Sequence, residues 1–303
     1  MDELPVDQVR TLLAVIDEGT FDAAAAALHV TPSAVSQRVK ALEQRTGRVL
    51  LMRTKPVQAT ESGEVLVRFA RQLVRLERDA RAELGMAEGL GPVRLPIAVN
   101  ADSLATWFLP ALTGVPQDPP VCFELHREDE AHATELLRDG RVMAAVTSQP
   151  VPVAGCTVRR LGLVRYLPVA SPEFAARHLR DAVERDLRKA PVVVFDRLDL
   201  LQDEFVRVLT GDAAARASAV RHYVPTSEGF CDAATAGLGW AMLPMVQADP
   251  LLEAGELVVI APGRNLEIPL YWQQWKLDSP ALSMVADAVV RAAARALGQD
   301  GSF

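Results

Sequence analysis

Apolar residues in the first fifty positions recur at helical spacing in three short segments. The segments span residues 6–18, 22–28 and about 32–45. Gly19 and Gly47 follow the first and the third segment, and a glycine directly after the last periodic residue is typical of a helix end. The pattern therefore predicts three short helices joined by tight turns.

The third predicted helix has two chemically different faces. Thr31 is placed to cap it, and Pro32 occupies its first turn, where the missing N–H costs nothing. Val35, Val39 and Leu42 follow the spacing i, i+4, i+7 and are expected to be buried. Polar and cationic side chains lie nearly opposite this apolar stripe: Ser33, Ser36, Gln37 and Lys40.

A polar face of this kind suits a helix that lies in the major groove of DNA. Gln37 can pair with an adenine edge, and Lys40 can reach a phosphate or a guanine. Arg38 projects towards the flank and is assigned to phosphate. An apolar strand at 49–52 then leads into a basic turn, which is typical of a wing that touches the DNA backbone or minor groove. The predicted DNA contacts are Thr31, Pro32, Ser33, Ser36, Gln37, Arg38, Lys40, Arg53, Thr54 and Lys55.

The charge distribution supports this assignment although the chain is acidic overall. The net charge is -7, from 32 basic and 39 acidic side chains. Between Pro32 and Lys55 there are nevertheless six basic side chains and one acidic. Nucleic-acid binding depends on such a local patch rather than on the total charge, although a basic run taken alone fits a solvated helix face equally well.

A longer helical pattern runs from about residue 60 to residue 86. Its apolar residues recur alternately three and four apart: Leu66, Phe69, Leu73, Leu76 and Ala80. At 1.5 Å per residue the helix would be about 40 Å long, more than a small winged domain can cover. Pairing with the same helix of a second subunit is predicted, and packing against its own chain is the alternative. Glycines and a proline between 85 and 92 predict a hinge.

Beyond residue 92, predicted strands alternate with predicted helices. The strands are 93–99, 121–125, 143–147, 166–170, 192–195, 241–243, 257–260 and 270–273. The helices are 103–112, 131–138, 172–180, 200–209, 229–236 and 281–297. This order is typical of an α/β fold, in which ligands bind beyond the carboxyl ends of the strands.

Several classes of protein are not indicated. No apolar run approaches the roughly 18 residues of a membrane span, so a soluble, cytoplasmic protein is expected. Cys122, Cys156 and Cys231 lie far apart and predict neither disulfides nor a thiolate metal site. The histidines lack metal-ligand spacing, and no Gly-x-Ser-x-Gly elbow is present. No cofactor and no enzymatic activity are therefore expected.

The first 63 residues resemble the LysR-type transcriptional regulators. The resemblance rests on the segments 19–25, 28–37 and 59–63, with Leu42-Glu43 between them. The sequence departs from the common pattern at Met52 and Ala59, where phenylalanine and leucine are usual. Most of the remaining chain is similar to the amino-acid-sensing ArgP/LysG branch of this family. That similarity is carried by the segments 100–108, 128–132, 237–240 and 271–275.

The resemblance implies a domain organisation and a function. It implies an N-terminal all-α winged helix-turn-helix at 1–60, a linker and dimerisation helix with a hinge at 61–91, and an α/β effector-binding domain at 92–303. This last domain would consist of two periplasmic-binding-protein-like α/β subdomains, one comprising 92–162 with 267–303 and the other 163–266. The implied protein is a homodimer or homotetramer on double-stranded DNA, with RNA polymerase as a further partner. Its implied effector is lysine, arginine or histidine, and its implied target genes serve amino-acid export or metabolism.

The predicted effector site combines groups that follow strands. The segment 100–103 opens a helix, whose N–H groups suit an α-carboxylate. The acidic triplet 128–130 could hold a cation, or it could only favour the start of the next helix. Glu228 is a candidate from the second subdomain. The predicted effector contacts are Asn100, Asp102, Ser103, Thr106, Trp107, Glu128, Asp129, Glu130, Thr147, Asp196 and Glu228.

Two alternatives stay open at this point. The first is a regulator of the same family with an acidic or aromatic effector. The second is a cytosolic solute-binding protein or α/β enzyme with an accessory helical domain.

Overall fold

A computed structural model describes residues 3–84, 86, 92–116, 120–128, 130–277 and 279–298. For residues 82, 83, 130 and 131 it describes the backbone alone.

The N-terminal domain contains the three predicted helices and a short hairpin. The helices are α1 (Val6–Glu18), α2 (Phe21–Ala27) and α3 (Pro32–Thr46). Strands β1 (Leu51–Met52) and β2 (Gln58–Ala59) pair in antiparallel fashion and form the wing. Apolar side chains from all three helices, the hairpin and the following helix share one core. The predicted strand at 49–52 is shorter than expected, because only its second half pairs with β2.

The helix ends follow the predicted local chemistry. The Thr20 hydroxyl accepts a hydrogen bond from the backbone N–H of Ala23 at 3.1 Å, and the Thr31 hydroxyl accepts one from Ala34 at 3.2 Å. Gly19 and Gly47 have φ values of +73° and +63°, a conformation that glycine adopts without steric cost. Gly19 and Thr20 thus fix the turn between α1 and α2, while Thr31 and Gly47 fix the two ends of α3.

Helix α4 (Glu61–Glu83) connects the two halves of the chain and ends three residues before the predicted Met86. Leu66, Val67 and Ala70 are buried in the core of the N-terminal domain. Phe69 and Leu76, which belong to the predicted seam, are 40% and 45% exposed. The seam is therefore divided, since only part of it packs against its own chain.

Arginines on α4 attach this helix to the C-terminal half of the chain. Arg71 contacts both the N-terminal domain and the C-terminal part of the chain. It donates to a carboxylate oxygen of Asp17 in α1 at 2.8 Å and to the carbonyl oxygen of Asp139 at 3.1 Å. Arg75 is 7% exposed and donates to the Ser279 hydroxyl at 2.9 Å and to Asp79 at 3.0 Å. In this geometry α4 is a direct physical connection between the two halves.

The C-terminal half is built around a seven-stranded mixed sheet. In spatial order its strands are β10 (Val258–Val259), β6 (Cys156–Ala170), β11 (Leu266–Trp275), β5 (Ala144–Thr147), β3 (Val93–Val99) and β4 (Val121–Arg127), while β9 (Ala241–Pro244) also pairs with β6. Strands β7 (Val192–Val194) and β8 (Arg221–Tyr223) form a separate parallel pair.

Helices pack on this framework in two groups. The first group is α5 (Ala101–Ser103), a π-helical turn at Leu104–Phe108, α6 (Leu109–Thr113), α7 (Glu130–Arg138) and α13 (Pro280–Ala296). The second group is α8 (Pro172–His178), α9 (Val183–Asp186), α10 (Leu201–Thr210), α11 (Ser227–Thr235) and α12 (Met245–Glu253). We call the part formed by β3, β4, β5 and the first group half I, and the part formed by β7 to β10 and the second group half II. Among the described helices, none is long and apolar enough to cross a membrane.

Strands β6 and β11 run through both halves and pair along almost their whole lengths. Their register shifts between Leu270 and Tyr271, opposite Gly162, which has φ +149°. The predicted strands 166–170 and 270–273 were right in type but too short. Strands β2 and β8 and helices α9 and α12 were not predicted.

Candidate functional site

The outer face of α3 has the predicted composition. Val35, Val39 and Leu42 are buried. Ser33, Ser36, Gln37 and Lys40 are exposed on the opposite side of the helix. Helices α2 and α3, with the tight turn between them, form a helix-turn-helix pair. In such a pair the second helix, here α3, reads the major groove, so its exposed polar face has the required position.

Two predicted DNA contacts on α3 have partners within the domain. The Ser33 and Thr31 hydroxyls lie 2.9 Å apart and share a hydrogen bond. Arg38 is directed towards α1, where it donates to the Thr11 hydroxyl at 3.5 Å and lies 3.7 Å from the Asp7 carboxylate. A phosphate contact by Arg38 stays a prediction, because this side chain lies along the flank of α3 in the unbound chain.

The wing presents its basic turn to solvent. Arg53, Thr54 and Lys55 are exposed, and Thr54 donates its hydroxyl to the carbonyl oxygen of Pro56 at 2.7 Å. Two cations on an exposed turn suit contacts with a phosphate backbone, which position a protein on DNA without reading sequence.

A cleft of about 740 Å³ lies between halves I and II. Half I contributes Asn100, Asp102, Arg127 and Glu128, and half II contributes the loop 195–202 with residues of α11 and α12. Tyr166 of β6 and Ile268 of β11 form the part of the wall where these paired strands pass from one half to the other. The cleft therefore has the position expected for a ligand site in an α/β protein.

Asp102 connects the two halves at the centre of this cleft. One carboxylate oxygen accepts from the Tyr166 hydroxyl at 2.8 Å, and the other accepts from the Ser227 hydroxyl at 2.9 Å. Ser227 also lies 3.1 Å from the side-chain nitrogen of Gln247. Burial raises the pKa of Asp102, and the negative charge of Asp199 raises it further, while the two hydroxyl donors lower it. A cation beside Asp102 would offset the cost of burying this charge.

Two further acids of the cleft shape the loop before α10. Asp196 accepts from the backbone N–H groups of Leu198 and Asp199 at 2.7 and 3.0 Å. Asp199 accepts from those of Phe195 and Leu201, both at 3.0 Å. These hydrogen bonds fix the positions of both carboxylates in the wall of the cleft.

Arg127 is the guanidinium that lines the cleft. It donates to the carbonyl oxygen of Pro225 at 2.7 Å, across the gap between the halves, and lies 5.8 Å from the centre of the Phe195 ring. The described lining contains four carboxylates and one guanidinium, that of Arg127. The carboxylates belong to Asp102, Glu128, Asp196 and Asp199. This balance favours a ligand with at least one positive charge, together with an anionic group near Arg127.

Part of the predicted effector set lies in the cleft. Asn100, Asp102, Glu128 and Asp196 are brought together there. Asn100 uses its side-chain oxygen to accept from the backbone N–H of Ser103 at 3.3 Å. Asp129 and the side chain of Glu130 lie outside the described residues.

Five other predicted contacts are not part of the described cleft lining, so the structure does not bring them together with Asp102, and their role in effector binding stays a prediction. Ser103 at the end of α5 is buried, and Trp107 in the π-helical turn is buried in the apolar core. Thr106 donates to the carbonyl oxygen of Asp102 at 2.6 Å. Thr147 is fully buried in β5, and its hydroxyl accepts from the N–H of Gln149 at 3.1 Å. Glu228 is exposed on α11 and does not line the cleft.

Sequence analysis missed several cleft residues from half II and from the crossing strand. These are Tyr166, Asp199, Gln202, Ser227 and Gln247. Ser227 could have been found, because it precedes Glu228 and follows Thr226, the cap of α11. The other four have no local signal in the sequence.

Comparison with known proteins agrees with this architecture. Residues 6–64 match the family described as bacterial regulatory helix-turn-helix protein, lysR family, and residues 92–294 match the LysR substrate binding domain. The chain is 48% identical to the lysine export transcriptional regulatory protein LysG of Corynebacterium efficiens over 283 residues, which are 93% of this chain and 96% of that protein.

Two solved structures are similar over nearly their whole length. ArgP from Mycobacterium tuberculosis matches with a TM-score of 0.90 and 45% identity, covering 99% of this chain and 100% of that one. Full-length LysG from Corynebacterium glutamicum with bound effector Arg matches with a TM-score of 0.83 and 42% identity, covering 97% and 99%. Both halves of the present chain are thus accounted for, and it belongs to the LysR family of helix-turn-helix transcriptional regulators.

Proposed function

We propose that this chain controls transcription in response to a basic amino acid, in particular lysine, arginine or histidine, bound in the cleft between halves I and II. The observation that carries the proposal is the buried Asp102 carboxylate within a predominantly acidic cleft. Support comes from two relatives, one named for lysine export and one with bound arginine. Export or metabolism of that amino acid is the proposed role of the target genes.

Confinement explains why the cleft would select a cation. Two unit charges in contact attract by only about 1 kcal/mol in bulk water, but by several times more at the lower effective dielectric of a protein site. Arg127 would suit the α-carboxylate of the same ligand. A ligand of this kind therefore offsets both signs of charge in the lining.

A panel of small molecules tests the proposed effector. A ligand raises the unfolding free energy by RT ln(1 + [L]/Kd), which is about 2.7 kcal/mol at a hundredfold excess over Kd. We expect lysine, arginine or histidine to raise the melting temperature, and glutamate and benzoate to leave it unchanged. A shift with glutamate or benzoate alone would instead support the alternative of an acidic or aromatic effector.

We propose that residues 1–60 bind double-stranded DNA and that residues 61–91 join them to the effector-binding part at 92–303. Two copies would place two α3 helices in successive major grooves. The solute-binding alternative has no support, because residues 6–64 match a DNA-binding family. The relatives of this chain are transcriptional regulators, and we propose that it likewise acts without catalysis. We further propose that it acts in the cytoplasm, where its DNA target would lie.

Substitutions on α3 and on the wing should have different effects on DNA binding. We expect Gln37→Ala to change the preferred operator sequence, because the exposed Gln37 amide would read a base edge. Arg53→Ala or Lys40→Ala should weaken binding to all sequences and reduce the slope of log K against log salt by about 0.9 for each phosphate that the variant no longer neutralises. Fluorescence anisotropy with two operator variants at several salt concentrations measures both effects. An unchanged sequence preference in Gln37→Ala would show that α3 is oriented differently on DNA.

The exposed apolar face of α4 should hold two subunits together. Phe69 and Leu76 are 40% and 45% exposed, and they belong to the part of the helical seam that the same subunit leaves uncovered. We expect the double variant Phe69→Glu with Leu76→Glu to sediment as a monomer and to lose most of its DNA affinity, because charges on a paired seam oppose burial. Val151→Glu, at a loop residue that is 73% exposed, is the control and should leave the mass unchanged. A dimeric double variant would contradict the assignment of this face.

A further inference from the structure

Gln202 stands out among the residues that line the cleft. It lies in the first turn of α10 and is 1% exposed. Neither its side-chain oxygen nor its side-chain nitrogen has a hydrogen-bond partner in the described part of the chain. A buried amide with both ends unpartnered is unusual, because each end has lost its hydrogen bonds to water without gaining others.

The neighbouring polar residue behaves in the opposite way. Asp203 is 4% exposed, and its carboxylate accepts from the backbone N–H of Ala217 at 2.9 Å and from the Arg221 guanidinium at 2.6 Å. The start of α10 is therefore held in place by Asp203 on one side. Gln202, on the side that lines the cleft, contributes no such contact to the fold.

The amide of Gln202 offers one acceptor and two donors at a single place. A ligand satisfies it when it offers a donor and an acceptor side by side. The side-chain cation of a basic amino acid only donates, whereas its α-ammonium donates and its α-carboxylate accepts. The positive end of the α10 dipole further favours a carboxylate there.

We propose that Gln202 binds the α-amino and α-carboxylate groups of the effector and so makes the cleft specific for intact amino acids over their decarboxylated amines. This inference rests on the proposed function, since it assumes a basic amino acid as the ligand. In this arrangement the Gln202 nitrogen donates to the α-carboxylate, and its oxygen accepts from the α-ammonium. Asp102 is left to hold the side-chain cation.

Calorimetric titration with arginine and with agmatine, which is arginine without its carboxylate, tests the proposal. We expect the wild-type chain to bind arginine at least about tenfold more tightly than agmatine. In Gln202→Leu the affinity for arginine should fall by about 10- to 100-fold, because both contacts are lost. The affinity for agmatine, which keeps the amino group but lacks the carboxylate, should fall by a clearly smaller factor. Gln202→Met, which keeps the length and the unbranched shape of the side chain but removes its amide, should behave in the same way.

Two comparisons distinguish this role from a structural one. Asp102→Asn should lower the affinity for arginine and for agmatine alike, because both ligands carry the side-chain cation. The melting temperature of unliganded Gln202→Leu should stay the same or rise, because the variant removes an unpartnered buried amide.

Three results would overturn the inference. They are a Gln202→Leu variant that binds arginine as the wild type does, one whose affinities for arginine and agmatine fall equally, and an unliganded variant with a lower melting temperature. In each case arginine binding by the wild type would leave the proposed function standing. A wild-type chain that binds none of arginine, lysine and histidine would overturn the proposed effector and, with it, the role of Gln202.

Discussion

Replacing Asp102 by asparagine is expected to lower the affinity for a basic amino acid by about 100-fold or more. The variant keeps the volume of the side chain and one acceptor but removes the charge that would pair with the ligand. Truncating one partner of a buried, hydrogen-bonded charge pair typically costs about 2–5 kcal/mol. Asp102 fits this case, since the hydroxyls of Tyr166 and Ser227 already orient its two oxygens. Titration calorimetry with lysine and arginine measures the loss.

The same carboxylate should make effector binding depend on pH. Burial, and to a lesser extent Asp199, raises the pKa of Asp102. A cation binds the ionised form, so its affinity should fall as the pH drops through this raised pKa, and binding near it should release a proton. Without ligand the sign for stability is the opposite. Because the folded pKa exceeds the unfolded one, the stabilisation due to Asp102 is fully present at low pH and is lost as the pH rises through the folded pKa.

Glu228→Gln is the matched control for both effects. Glu228 is also an acid near the start of an element, but it is exposed on α11 and lies outside the cleft. Its substitution should change the affinity for the ligand less than about twofold, because solvent and salt screen an exposed charge that lies outside the cleft. If Asp102→Asn retained wild-type affinity, or if Glu228→Gln lost it, the ligand cation would have to be placed elsewhere.

The N-terminal domain could be predicted well because its signals are local. The cap Thr31, the proline after it and the stripe of Val35, Val39 and Leu42 all lie within twelve residues, and they fix both the start and the buried face of α3. Strand β6 shows the opposite case. Its residues 156–165 pair with β11 more than a hundred positions away, and they include arginines that interrupt the apolar pattern. Such pairing is set by tertiary structure, so sequence periodicity underestimated it.

Most of the correctly predicted cleft residues lie in half I, and most of the missed ones lie in half II, for a related reason. Asn100 and Asp102 directly follow a strand, and the rule that ligands bind at strand ends finds them. The same rule also included Ser103 and Trp107, which are buried and are not part of the described cleft lining. Tyr166 comes from the middle of β6 and Gln202 from the start of α10. Only the tertiary packing of these two elements brings both residues into the cleft.

Gly63→Ala is expected to abolish DNA binding while effector binding persists. A methyl group at this position would overlap the carbonyl oxygen of Leu50 and lie 3.2 Å from the side chain of Ala59. That carbonyl cannot move easily, because it accepts from the N–H of Thr60 at 2.9 Å. The Thr60 hydroxyl also donates to the carbonyl oxygen of Val49 at 2.7 Å. Overlap with fixed backbone should destabilise the N-terminal domain by at least about 3 kcal/mol.

The two activities should separate in this variant because the halves of the chain have separate cores. The residues around Gly63 share a core with α1 to α3, whereas the cleft is built on the cores of the C-terminal half.

Gly114→Ala is the control, because φ at this glycine is −86° and the added methyl would lie 3.6 Å from the nearest backbone oxygen. It should shift the unfolding free energy by no more than about 1 kcal/mol. Operator binding and arginine titration on the two variants measure both activities. A Gly63→Ala variant that bound DNA like the wild type would mean that α4 does not approach the wing as closely as the structure has it, and the link between α4 and the DNA-binding surface would have to be redrawn.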